Sequence, residues 1–133
     1  PGPAISLHST RPHFTNTTVV LGNLEAAQFK PMMVDENTSV GEISWIKDGR
    51  VQFWRGTQQN CPQTVPYPIA LEETVYVIEG NADVEFEDGT VHRLNPGDVA
   101  TFEQGAQTTW TFIFPFVKVA IFADAKPAKK GTS

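Results

Sequence analysis

Cysteine is almost absent from this chain. Cys61 is the only one in 133 residues, so no intrachain disulfide can form, and the multi-cysteine ligand sets of zinc ribbons and fingers are excluded. Histidine is scarce as well, limited to His8, His13 and His92. Basic residues are outnumbered, ten Lys and Arg against fifteen Asp and Glu, for a net charge of −5. No overall basic field draws a phosphate backbone, which disfavours nucleic-acid binding. Long apolar runs are missing too. The longest, Trp110 to Ala123, is broken by Pro115 and Lys118 and is too short to span a bilayer as a helix. No basic segment followed by an apolar one opens the chain. The expectation is a soluble, cytoplasmic protein with no membrane or nucleic-acid partner.

What is present is enough for a core. Apolar residues make up 40% of the chain and include nine Phe and three Trp, which excludes disorder for most of it. The length suits one domain. Residues 1–22 read as an N-terminal arm, 23–124 as the folded body and 125–133 as a flexible tail, whose lysines and small residues bury little.

Within the body, short β-rich runs alternate with turn residues. Gly41 to Ile46 and Val51 to Arg55 flank Lys47-Asp48-Gly49-Arg50, a hairpin signal. Thr74 to Glu79 is expected to end at Gly80-Asn81. Asp83 to Phe86, Val91 to Leu94, Val99 to Phe102, Thr108 to Phe114 and Phe116 to Phe122 follow, with turns at Glu87-Asp88-Gly89 and Asn95-Pro96-Gly97-Asp98. Only Leu24 to Phe29, behind Asn23 as an N-cap and ahead of Pro31, reads as helical. Many short strands and almost no helix predict an all-β sandwich or barrel.

In such a fold alternate residues face inward, and an inward acid stands out because burying a carboxylate is costly unless it is paired or bound to a metal. Glu73 shares a strand face with Val75 and Val77, so it sits at a rim or looks into the barrel. Thr108, Trp110, Phe112 and Phe114 share another face. Glu73, six further residues and Gly80, then Pro96-Gly97-Asp98 and Gly105, together resemble the two-motif core of the cupins. Glu73-Thr74-Val75-Tyr76-Val77-Ile78-Glu79-Gly80, Gly97-Asp98, Thr109-Trp110 and Pro115-Phe116-Val117-Lys118-Val119 are similar to small single-domain cupins related to (S)-ureidoglycine aminohydrolase. The likeness covers roughly residues 40 to 122. It implies an RmlC-like jelly-roll barrel and a homodimer, the latter in keeping with the need to cover edge strands.

The chain departs from that pattern at its metal ligands. The resemblance implies two histidines shortly before the glutamate and a third after the second turn glycine. Those positions here fall within Pro66-Tyr67-Pro68-Ile69 and on Thr108. A single Glu cannot hold a transition metal, so no metal or other cofactor is expected. The resemblance then implies a barrel mouth lined by Tyr67, Glu73, Thr108 and Trp110, with Trp45 or Trp54, and with Tyr76 as a further candidate. Such a mouth suits a small ligand with an apolar or planar body and a polar handle. Glu73 is the expected acid/base group, with Tyr67 or Tyr76 as proton donor.

Three functions follow as alternatives: a metal-independent acid/base enzyme of lyase, isomerase or hydrolase type acting on a small polar metabolite; a non-catalytic small-molecule-binding cupin; and a metal enzyme using Glu73 with Cys61 or Gln63. Against all three stand plainer roles. Glu73 pairs with Arg55 or Lys118, the aromatic residues fill the core, Thr108 is an ordinary strand residue, Cys61 is an inert thiol, and Glu79, Glu85, Glu87 and Asp88 form a solvated face.

Overall fold

Two long antiparallel strands form the spine of the molecule. The structure, a computed structural model, describes residues 18–124; most of the expected arm, the tail, His8 and His13 lie outside the described residues. Eight strands follow in order: β1 (Lys30–Met33), β2 (Ser39–Lys47), β3 (Val51–Gly56), β4 (Thr64–Pro68), β5 (Glu73–Phe86), β6 (Val91–Leu94), β7 (Val99–Phe102) and β8 (Gln107–Phe122). The path β1-β2-β3-β8-β5-β6 carries β4 on β8 and β7 on β5. No helix is present among the described residues, and so none is long and apolar enough to cross a membrane.

β5 and β8 pair along their whole length but change their outer neighbours halfway. The first half of β5 pairs with β7 and its second half with β6, while β8 pairs first with β4 and then with β3. One bent strand pair therefore belongs to both halves of a jelly roll. The bend lies where the register slips on either side of Glu79. Gly80 makes it possible: its φ is +81°, and a Cβ there would stand 2.2 Å from the Pro115 carbonyl oxygen. Gly80 thus does not end a strand as expected, and the two runs on each side form one 14-residue strand. Across the bulge the inward positions change from Glu73, Val75 and Val77 to Ala82 and Val84. β8 likewise joins two expected strands into one of 16 residues, and its buried face runs through Thr108, Trp110, Phe112, Phe116, Lys118 and Ala120.

Two further expectations are corrected. Leu24 to Phe29 forms only a turn at residues 24–26. Asn23 does cap it, its Oδ1 accepting hydrogen bonds from the amides of Glu25 and Ala26. So short a stretch does not repay helix nucleation, and from Lys30 the chain is drawn into pairing with β2. The Pro66-Tyr67-Pro68 segment, whose two prolines mark it in the sequence as a rigid loop around Tyr67, is instead a strand. It lies in β4, whose other edge pairs with no strand among the described residues, so the missing proline N–H groups leave no ladder bond unmade there. The β2–β3 hairpin and the β5–β6 turn form where Asp48-Gly49 and Asp88-Gly89 stand.

Candidate functional site

Glu73 and Lys118 are the charged residues buried inside the barrel among the described residues, 1% and 6% exposed. Glu73 opens β5 on the face of Val75 and Val77, and Lys118 lies between Phe116 and Ala120 on the inward face of β8. The register sets Lys118 opposite Val77, whereas Glu73 faces Phe122. The lysine stem closes this offset, and its Nζ donates to Glu73 Oε2 at 2.9 Å. The Tyr67 hydroxyl donates to Oε1. Both carboxylate oxygens are therefore engaged, as a buried carboxylate requires.

Aromatic rings surround the ammonium. The ring centres of Trp110, Tyr67 and Trp54 lie 4.7, 5.4 and 5.7 Å from Lys118 Nζ, within range of cation–π attraction. The rings are themselves held in place. Trp54 Nε1 donates to the Val40 carbonyl at 3.0 Å. Thr108 Oγ1 donates to the Tyr67 carbonyl at 2.6 Å and accepts from Trp110 Nε1 at 3.1 Å. Burial foremost, then the Glu73 charge and the hydrogen bond to it, raise the Tyr67 pKa well above its ordinary value, so the phenol keeps its proton.

A cavity of about 90 Å³ opens beside this cluster. Val40, Val65 and Phe112 form apolar wall, Trp54, Tyr67 and Trp110 present rings, and Gln52 and Lys118 supply polar ends. Glu73 is not part of the lining; it stands behind Lys118 and Tyr67. Gln52 shares the inward face of β3 with Trp54 and is 7% exposed.

Of the residues anticipated for the site, Tyr67, Glu73, Thr108, Trp110 and Trp54 converge. Trp45 and Tyr76 do not. Trp45 is 41% exposed and packs against Phe122, and Tyr76 is 46% exposed because it alternates out of phase with Val75 and Val77. Thr108 is taken up in bracing Tyr67 and Trp110 and does not line the cavity. Of the two partners considered for Glu73, Lys118 is the one used, while Arg55 pairs with Glu42. Glu79, Glu85, Glu87 and Asp88 are exposed, as anticipated.

Lys118 and Gln52 were not foreseen as site residues. Each carried a readable signal, a polar residue in phase with apolar ones: Phe116-x-Lys118-x-Ala120, and Gln52-x-Trp54.

The donor set does not fit a divalent metal. Among the described residues the only carboxylate inside the barrel is held by an ammonium and a phenol, and the Thr108 hydroxyl is committed on both sides. No group of three His, Cys, Asp or Glu residues comes together among the described residues. Cys61 and Gln63 do not join Glu73; they line a separate depression with Gln58, Ile113 and Phe114. His92 is exposed on β6 against the edge of Phe86.

Comparison with known proteins agrees with this architecture. An RmlC-like cupin from Shewanella frigidimarina superposes with a TM-score of 0.60 at 12% identity, over 82% of this chain and 94% of the other. The FeII form of HppE gives a TM-score of 0.57 at 12% identity over 80% and 62% of the two chains. At these identities the likeness is one of fold. A DUF861 family protein from Thermotoga maritima is 25% identical over 53% of this chain and 76% of its own, with a TM-score of 0.49. No curated protein matches the sequence. The narrower likeness to ureidoglycine aminohydrolase-related cupins is one of motifs alone. The family model that matches spans residues 48–120, from the β2–β3 turn to the inward face of β8, and by that match the chain belongs to the EutQ-like cupin domain family.

Proposed function

We propose that the cavity beside Lys118 takes up a small polar metabolite, and that Lys118, backed by Glu73 and Tyr67, transfers a proton on it without a metal. The observation that carries this reading is a buried ammonium lining an apolar cavity while its carboxylate partner lies out of reach behind it. Protons pass readily between groups already hydrogen-bonded in line. Lys118 would give a proton from its ammonium to the ligand and, as the neutral amine this leaves, take one back, with Glu73 stabilising the charged form. The anticipated role of Glu73 thereby changes, from touching the ligand to positioning the group that does.

Non-catalytic binding is the second reading, favoured by Tyr67, whose hydroxyl is already committed to Glu73. Incubating the protein in D2O with a set of small ketones and carboxylic acids separates the two. Lys118-dependent exchange of carbon-bound protons, followed by NMR, supports catalysis; saturable binding without exchange supports the second reading.

A homodimer is the assembly we propose, formed through the outer face of the sheet. Tyr76, Val99 and Ile121 are exposed there, and the strand register puts them on one side. Light scattering of wild type and of Tyr76→Glu checks it. We also propose a cytoplasmic setting, supported by a lone, unpaired and buried thiol.

A further inference from the structure

We infer that the ligand of the Lys118 cavity is a small carboxylate with a short apolar tail, its two oxygens received by the Lys118 ammonium and the Gln52 amide. This inference rests on the reading of that cavity as the binding site.

An ammonium has three N–H donors, and among the described residues Lys118 Nζ spends one, on Glu73. Gln52 makes no side-chain hydrogen bond among the described residues, although it is 93% buried by its 7% exposure. Among the described residues no fully enclosed side-chain nitrogen or oxygen lacks a partner, and Gln52 lines the cavity, so its amide opens onto it. Gln52 pairs with Ala120 and Trp54 with Lys118 across β3 and β8. Gln52 and Lys118 are thus on neighbouring inward rungs, and both end at one cavity. Two kinds of unspent donor converge there, on walls otherwise made of rings and aliphatic carbon.

The charge balance selects a monoanion. A carboxylate on Lys118 would lie about 3 Å from Nζ, with Glu73 on the far side of the ammonium and therefore farther away. Attraction falls with distance, so the nearer cation prevails. A phosphate dianion would meet the same single cation with Glu73 close behind it. A ligand cation is excluded for another reason: the position among Trp54, Tyr67 and Trp110 that would suit one already holds the lysine's own ammonium. One water needs about 10–15 Å³ of such space. The cavity of about 90 Å³ therefore admits a ligand of roughly six heavy atoms.

The test is calorimetric titration of the protein at neutral pH with butyrate, butyramide, butylamine and inorganic phosphate. Butyrate should bind saturably, at least tenfold more tightly than each of the others. Lys118→Met should lower butyrate affinity at least tenfold. Because that variant removes half of a buried pair, Gln52→Glu provides a second arm: it should abolish butyrate binding and give butylamine the advantage. If butyramide or phosphate binds as tightly as butyrate and Gln52→Glu weakens it, the cavity is the site and the ligand class is wrong. If no probe binds, or if binding ignores both substitutions, the cavity reading falls with the inference.

Discussion

Lys118 Nζ and Glu73 Oε2 stand 2.9 Å apart inside the barrel, although their positions on β8 and β5 are two inward rungs out of step. Removing either member leaves the other charged and enclosed. Glu73→Gln and Lys118→Met are each expected to cost about 3–5 kcal/mol of folding stability. The double variant should recover much of that loss, because a neutral amide beside a thioether carries no orphaned charge. Denaturant unfolding of all four proteins measures the coupling, and additive losses would refute a direct pair.

Thr108 tests whether the cavity's rings are set by the scaffold. Its hydroxyl links the Tyr67 carbonyl to the Trp110 indole. Thr108→Val keeps the shape and deletes both bonds, so a loss of about 1–3 kcal/mol is expected. Trp110 should also loosen, seen as a change in its fluorescence and weaker ligand binding. An unchanged affinity would mean that packing alone orients the ring.

Period-two alternation made much of this legible. It put Glu73 on one face with Val75 and Val77, and Thr108 on another with Trp110, and the structure turns both faces inward. The same rule puts Lys118 inside, yet a lysine in an apolar strand reads first as an interruption. Its link to Glu73 spans 45 residues and depends on side-chain reach, which spacing does not reveal. Tyr76 failed as a site residue because the alternation that turns Glu73 inward turns Tyr76 outward. β4 was obscured by Pro66 and Pro68, which signal a loop unless the neighbouring strand is known.

Gly80 carries the bend that lets β5 serve both halves of the barrel. With φ at +81° and the Pro115 carbonyl oxygen 2.2 Å from any added Cβ, Gly80→Ala must shift backbone as well as side chain. A loss of more than about 1 kcal/mol is expected. By contrast, Gly89 has a similar φ but open space around it, so Gly89→Ala should cost less. Comparing the two melting temperatures separates the close approach from the strained dihedral.

Cys61 should behave as a structural thiol. It is buried, and burial pushes its pKa up to about 11. Little thiolate forms at pH 8, so alkylation of the native protein should be much slower than in denaturant. Labelling at the denatured rate under native conditions would contradict its burial beside Gly56.

Tyr67 gives the protein a defined response to alkali. Its ordinary value is 10.0, and burial together with the Glu73 charge raises it in the fold. Above pH 10 the unfolded chain sheds this proton while the native state retains it. The native state then binds more protons, so stability must fall as pH climbs beyond 10. Below pH 10 both states carry the phenol protonated, and this group adds no slope. Tyr67→Phe removes the titration and should flatten that alkaline decline. It also strips Glu73 Oε1 of its donor, so its stability at neutral pH should be lower than wild type. Unfolding curves from pH 8 to 11 therefore distinguish the two effects: a steeper alkaline loss in wild type than in Tyr67→Phe is the expected outcome, and parallel curves would show that Tyr67 is not the titrating group.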